Sequence, residues 1–251
     1  MIKIDPLSAA SVYLETIQNG NSISSATGFF YRKDDNLYLI TNWHVVTNRD
    51  PISGRYRIGI AEPNALRFRH IRFGSAQPFG LTEEKLVDEC GIPRWYIHPV
   101  HGKSIDVVAL EVKYTNLDLV ELTQHLNAPE LDIRVGLDVF IIGFPLGNIA
   151  DVPIWKRGTL ATEPDMPVHN LPKMLVDSTT RPGMSGSPVL AVSSGAASIN
   201  GGLIIGPERF CRGVGVYSGH LGNDEMSAEL GIVWRWNVIE EIIIGRRLGS
   251  L

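Results

Sequence analysis

The chain has 251 residues, of which 44% are hydrophobic and 20% are charged, and its formal net charge is −4 at pH 7. This composition is typical of a globular protein, and the charge gives no electrostatic reason to expect nucleic acid or an anionic membrane as a partner. No apolar run approaches the roughly 20 residues of a membrane span, and the N-terminus lacks a secretory signal pattern, so we expect a cytoplasmic location. The two cysteines, Cys90 and Cys211, match no metal-ligand spacing, and we expect neither a metal nor a cofactor.

Short runs of β-branched and aromatic residues alternate with turn signals along the chain, which is typical of an all-β protein. In chain order, strands are predicted at residues 10–17, 27–32, 37–42, 56–61, 65–74, 106–112, 138–145, 155–162, 173–179, 187–192 and 213–219. Helical spacing of apolar residues predicts a terminal helix at about 232–247, and a short helix is predicted at 81–90.

The predicted strands fall into two groups, separated by a stretch with few strand-like runs. We therefore expect a single domain of two small β-barrels: lobe 1 at about 8–115 and lobe 2 at about 136–222. A linker of about 116–135 joins them, and the terminal helix follows.

The segment RPGMSGSP, residues 181–188, is too rich in glycine and proline for a helix or a central strand. An ordinary surface turn would have the same composition. Glycines beside Ser185 would also let backbone N–H groups converge next to an exposed hydroxyl, as nucleophilic catalysis requires.

A serine hydroxyl needs a base, and histidine is the side chain best suited to that task near neutral pH. Of the seven histidines, His44 lies where a buried strand ends, a rigid position that still reaches a cleft. Solvated or irregular surroundings favour structural roles for five others: His70, His98, His101, His125 and His169.

The base in turn needs a carboxylate to orient it. Asp106 lies at the start of an apolar strand, where burying an unpaired carboxylate would cost free energy. Asp138 and Asp177 compete for this role, although Asp138 is interpreted as solvated and Asp177 as lining a pocket wall.

The order His44, Asp106, Ser185 is that of chymotrypsin. With the segments TGFFYRKDDNLYLITNWHVV, IDVVALEV and DSTTRPGMSGSPV, the chain resembles the trypsin-like (chymotrypsin-fold) serine peptidases, especially bacterial members of the HtrA and glutamyl-endopeptidase kinds. This resemblance implies two six-stranded antiparallel β-barrels with a C-terminal α-helix. It also implies a serine endopeptidase acting on a protein or peptide substrate.

The resemblance assigns a role to each residue of the motifs. Ser185 would be the nucleophile, His44 the general base and acid, and Asp106 the group that orients His44. The backbone N–H groups of Gly183 and Ser185 would form the oxyanion hole, and Ser218 matches a serine that supports the aspartate. The residues matching the substrate pocket are Thr179, Thr180, Tyr217, Ser218 and His220.

The matched pocket residues disfavour two known specificities. Thr179 places no negative charge at the pocket base, which disfavours Arg or Lys at P1, and Tyr217 stands where glutamyl endopeptidases have a histidine. We therefore predict a small or medium uncharged P1 residue. Met184 replaces the aspartate that pairs with the new N-terminus of animal trypsins, so we predict no such zymogen activation.

The main alternative is a catalytically latent or inactive module of the peptidase fold that acts in binding or as a scaffold. An esterase of unrelated fold is disfavoured by the residue order. Whether a regulatory partner or a second copy of the chain binds is left open by the sequence.

Overall fold

The structure, a computed structural model, describes residues 3–71, 79–113, 119–147, 149–179, 181–221 and 229–250. These residues form two antiparallel sheets and three short α-helices, which confirms the predicted all-β class with a C-terminal helix. None of the helices in these ranges is long and apolar enough to cross a membrane.

The first sheet has eight strands, two more than predicted, in the order β14-β6-β7-β3-β2-β1-β4-β5. Seven of them come from the first half of the chain, and β14 comes from near the C-terminus. Their bounds are β1 Ser11–Gln18, β2 Asn21–Lys33, β3 Asn36–Thr41, β4 Ala65–Ile71, β5 Phe79–Lys85, β6 Trp95–Ile97, β7 Val108–Val112 and β14 Arg247–Leu248.

The second sheet is a closed barrel of six strands in the order β10-β13-β12-β11-β8-β9, as predicted. Its longest hairpin turns at Asn200–Gly201, where both residues have positive φ, the conformation that Asn-Gly favours between antiparallel strands. The strand bounds are β8 Asp138–Gly143, β9 Ile154–Leu160, β10 Lys173–Asp177, β11 Pro188–Ile199, β12 Gly202–His220 and β13 Leu230–Arg235.

The helices are α1 Pro6–Ala10, α2 Trp43–Thr47 and α3 Asn237–Gly245, with a 3₁₀ helix at Leu122–His125. Each sheet buries its own apolar cluster. A third cluster joins the two sheets, since Phe29 of β2, Val216 of β12 and Ile239 of α3 all belong to it. This shared core fixes the loops of one sheet against those of the other.

Three predicted elements differ from the structure. Residues 81–90 were expected to be helical, but residues 81–85 lie in β5, which pairs with β4 in register from Ala65 to Ile71. Residues 56–61 were expected to be a strand but form a loop. The terminal helix begins at Asn237 rather than near 232, because residues 230–235 complete the barrel as β13.

Candidate active site

His44 is positioned by a break between a strand and a short helix. Strand β3 ends at Thr41, Asn42 is extended at the N-cap of α2, and His44 is the second residue of that helix. The Asn42 side chain donates a hydrogen bond to the Asp106 carbonyl oxygen at 2.7 Å. The segment that presents His44 is therefore tied directly to the segment that presents Asp106.

Asp106 binds His44 through both of its carboxylate oxygens. The Oδ2 atom lies 2.6 Å from His44 Nδ1, and Oδ1 accepts the His44 backbone N–H at 2.9 Å. Both residues are buried, with 3% of Asp106 and 7% of His44 exposed. Because Nδ1 faces the carboxylate, the Nε2 atom is the ring nitrogen left to exchange a proton with another group.

Ser218 joins this pair from the second sheet. Its hydroxyl donates to Asp106 Oδ2 at 2.5 Å, so that one carboxylate oxygen contacts both the imidazole and the serine. A carboxylate fixed in this way holds the imidazole in one tautomer and one orientation.

Hydrogen bonds tie the Ser185 loop to both sheets. The Gly186 N–H donates to the Tyr217 carbonyl at 2.9 Å, next to Ser218, and the Ser185 carbonyl accepts from Thr27 N at 2.9 Å. Thr27 in turn accepts a hydrogen bond at its carbonyl from Thr41, three residues before His44. The loop therefore lies between the strand ends that carry the His44 and Ser218 segments.

Ser185 itself is half-buried, and Gly183 and Gly186 on either side have φ of 100° and 85°. Within the described ranges, the backbone N–H groups of Gly183 and Ser185 donate to no acceptor. The Ser185 hydroxyl makes no hydrogen bond to His44 in these same ranges. The loop thus presents one hydroxyl and two unused amide donors beside an ordered histidine–aspartate pair.

The sequence also matches a family model, that of the trypsin-like peptidase domain, over residues 26–197. The chain belongs to the trypsin-like peptidase family. No curated protein matches it in sequence.

Solved structures show that this chain has the chymotrypsin fold. It is similar to the active form of the Rv3671c protease from M. tuberculosis, with a TM-score of 0.54 at 17% identity over 97% of this chain and 83% of that one. It is similar to Deg5, with a TM-score of 0.52 at 15% identity over 95% and 91%. A serine endoprotease from Yersinia pestis gives 0.53 at 13% identity over 97% and 67%.

The predicted pocket residues differ in burial and in their hydrogen-bond partners. Tyr217 is 1% exposed and belongs to the core of the second barrel, while Ser218 is turned to Asp106. His220 is exposed and lies edge-on to the Tyr217 ring, with 6.5 Å between the ring centroids. Thr179 is exposed, and Thr180 lies outside the described residues.

An acidic group next to Thr179 was missed by sequence reasoning. The Thr179 hydroxyl donates to the Glu229 carboxylate, and the Thr179 carbonyl accepts from the Lys156 ammonium. Glu229 lies outside the three segments that resemble the peptidase family, so no local sequence pattern pointed to it.

The two competing carboxylates and His98 have other surroundings. Asp138 forms an ion pair with Arg157 on the second barrel, and Asp177 is exposed at the end of β10. His98 is buried, but its Nε2 lies 2.7 Å from Glu241 while its Nδ1 accepts two backbone N–H groups of the following turn. That arrangement orders a turn and is consistent with the structural role expected for it.

Proposed function

We propose that this trypsin-like peptidase domain is an active serine endopeptidase that uses Ser185, His44 and Asp106. The observation that carries the proposal is the buried contact between His44 Nδ1 and Asp106 Oδ2 at 2.6 Å. The neighbouring Ser185 loop adds two amide donors, at Gly183 and Ser185, that have no acceptor among the described residues. A triad needs this order of contacts, with the carboxylate on one ring nitrogen and the nucleophile at the other.

In the proposed mechanism, the Ser185 hydroxyl attacks the scissile carbonyl carbon while His44 Nε2 takes its proton. The carbonyl oxygen becomes an oxyanion, which accepts hydrogen bonds from the N–H groups of Gly183 and Ser185. His44 then gives the proton to the leaving amine, and the C–N bond breaks to leave an acyl-enzyme. Water, deprotonated by His44, attacks the ester, and return of that proton to Ser185 releases the acid.

Asp106 has two tasks in this cycle. Its contacts to the ring and to the backbone N–H of His44 fix both the tautomer and the ring orientation. Its negative charge also stabilises the imidazolium that forms when His44 holds the serine proton. Ser218 donates a hydrogen bond to the same carboxylate and so helps to hold it in this position.

We expect the substrate to be a protein or peptide that binds in an extended conformation along the end of β12. The pairing of β12 with β13 shifts register between Tyr217 and His220, which leaves Ser218 and Gly219 outside the regular ladder. Backbone groups released in this way are suited to pairing with an added strand. The small or medium uncharged P1 residue and the cytoplasmic location stay predictions.

A fluorophosphonate probe tests the proposal because it phosphonylates only an activated serine. We expect wild type to be labelled and Ser185→Ala not to be, with peptidase activity lower on the order of 10⁶-fold. Ser187→Ala is the matched control, since the Ser187 hydroxyl lies two residues further along, is buried, and has no hydrogen-bond partner among the described residues. Labelling that persists in Ser185→Ala would refute the assignment.

The second candidate is a latent or inactive module of the same fold. It is favoured by one observation, namely that the Ser185 hydroxyl makes no hydrogen bond to His44 within the described ranges. Catalytic hydrogen bonds are often long before substrate binds, so this geometry also fits an active enzyme. Labelling that requires a substrate-like peptide would indicate latency, and no labelling in any condition would indicate an inactive module.

A further inference from the structure

The oxyanion loop, defined here as residues 182–186, has every peptide carbonyl from Pro182 to Ser185 held by a hydrogen bond. Pro182 O accepts from Leu146 N at 2.7 Å, and Met184 O accepts from Ser187 N at 3.0 Å. The other two carbonyls are both held by one residue of the first sheet, Thr27. Its hydroxyl donates to Gly183 O at 2.8 Å, and its backbone N–H donates to Ser185 O at 2.9 Å.

The Thr27 hydroxyl has a defined direction. Its oxygen accepts the backbone N–H of Phe144 at 3.0 Å, so the hydroxyl proton is left to point at the Gly183 carbonyl. Thr27 is fully buried, and water cannot easily replace either bond. Among the four bonds that hold the loop carbonyls, this is the one made by a side chain.

The bond acts on the peptide that separates the two proposed oxyanion donors. The Gly183 N–H belongs to the peptide before Gly183 and the Ser185 N–H to the peptide after Met184. The Gly183–Met184 peptide between them therefore sets the angle between the two N–H vectors. Gly183 has φ of 100° and, as glycine, tolerates many backbone conformations, so its carbonyl needs an external anchor to stay in one orientation.

Two glycines leave room for the hydrogen bond between Thr27 and Gly183. A Cβ atom on Gly143 would lie 2.7 Å from Thr27 Oγ1, and a Cβ atom on Gly183 would clash with the Phe144 carbonyl. Glycine at position 143 lets β8 approach Thr27 closely, and glycine at position 183 lets the loop approach the backbone of Phe144, whose N–H donates to Thr27. The Thr27 hydroxyl thus reaches from the histidine-bearing sheet into the serine-bearing one.

We propose that Thr27 is a positioning residue that orients the oxyanion hole from the opposite sheet. The inference rests on the proposed serine endopeptidase function, because it assigns Thr27 a part in that reaction. Thr27 touches no reacting atom. It acts through the Gly183 carbonyl, so its loss should weaken stabilisation of the transition state and leave substrate binding almost unchanged.

The test compares three substitutions that differ in hydrogen-bond donation. Thr27→Val removes both the donor to Gly183 and the acceptor for Phe144 at nearly constant shape, Thr27→Ser keeps both, and Thr27→Cys supplies a weaker one of each. We expect kcat to fall on the order of 10–100-fold in Thr27→Val, with KM within about twofold, because misplacing a catalytic group by about 1 Å can cost 10²-fold. Thr27→Ser should restore kcat to within a few-fold, and Thr27→Cys should lie between.

Thr16→Val is the matched control for general destabilisation. Thr16 is a buried threonine of β1 whose hydroxyl forms a hydrogen bond with Ser24 on the neighbouring strand. We expect it to lower the melting temperature while leaving kcat unchanged. Affinity for a peptide boronate, which mimics the tetrahedral intermediate, should fall in Thr27→Val by the same factor as kcat/KM.

The outcomes separate this inference from the proposed function. If wild type labels and cleaves but Thr27→Val keeps wild-type kcat, the positioning role is wrong and the peptidase assignment stands. If wild type neither labels nor cleaves, both fail together. Should Thr27→Val not fold, the Ser and Cys variants decide, since equal kcat in these two would overturn the role of the donor.

Discussion

Replacing Asp106 by asparagine should disable the proposed enzyme by fixing the wrong histidine tautomer. Asp106 Oδ1 accepts the His44 backbone N–H, so in Asp106→Asn the amide oxygen must take that place. The amide NH₂ group then replaces Oδ2 and donates to His44 Nδ1. The ring proton moves to Nε2, and the nitrogen facing the serine can no longer accept a proton.

The expected loss follows from this geometry. A triad locked in the wrong tautomer loses roughly 10⁴-fold in kcat in the chymotrypsin-type example of this effect, and at 1.36 kcal/mol per tenfold this is about 5 kcal/mol of activation free energy. The variant should still fold, because the amide keeps the size of the carboxylate and can bond the same neighbours. Hydrolysis of a chromogenic peptide and thermal melting measure the two quantities separately.

Asp138→Asn is the matched control for this prediction. It also removes a carboxylate charge, but from an exposed ion pair with Arg157 on the second barrel. We expect it to keep wild-type kcat. The reasoning would be refuted if Asp106→Asn retained more than about a tenth of wild-type kcat while remaining folded, or if Asp138→Asn lost as much as Asp106→Asn.

Two further predictions concern the folded structure. Gly186→Ala should yield little folded protein, because φ at Gly186 is 85° and an added Cβ would clash with the Thr27 carbonyl; circular dichroism and expression yield check this, and a stable, active variant would contradict it. Cys90 should react with iodoacetamide at pH 8, whereas Cys211 should react only after unfolding, because burial raises the pKa of its thiol to about 11. Peptide mass mapping measures both sites, and equal modification rates in the native protein would be the contrary result.

The sequence was sufficient to predict the residues whose chemistry is strongly constrained by local context. His44 at a strand end and Asp106 at a strand mouth could be identified because each combines an ionisable group with an apolar strand. The structure brings these two together. Ser218 was matched only through family resemblance, and its hydrogen bond to Asp106 gives that match a physical basis.

Elements whose conformation depends on distant partners were not predictable in the same way. Residues 56–61 alternate like a strand, yet the Asn48 side chain bonds the backbone of Ile58 and Ala61 and takes the place of a partner strand. Residues 81–85 have charges typical of a helix, but pairing with β4 overrides that local preference. Thr27 is separated from Gly183 by 156 positions, so no local pattern could reveal its role.

Strand β14 makes the first sheet discontinuous in sequence. Arg247 pairs with Ile97, Gly249 N donates to Trp95 O at 2.9 Å, and Trp43, the neighbour of His44, donates its indole N–H to Ser250 O. In chain order, the second barrel therefore lies between two parts of the sheet that holds the histidine. Cutting the chain between the sheets would deprive the first of a strand, so the two halves are expected to melt as one cooperative unit rather than in sequence.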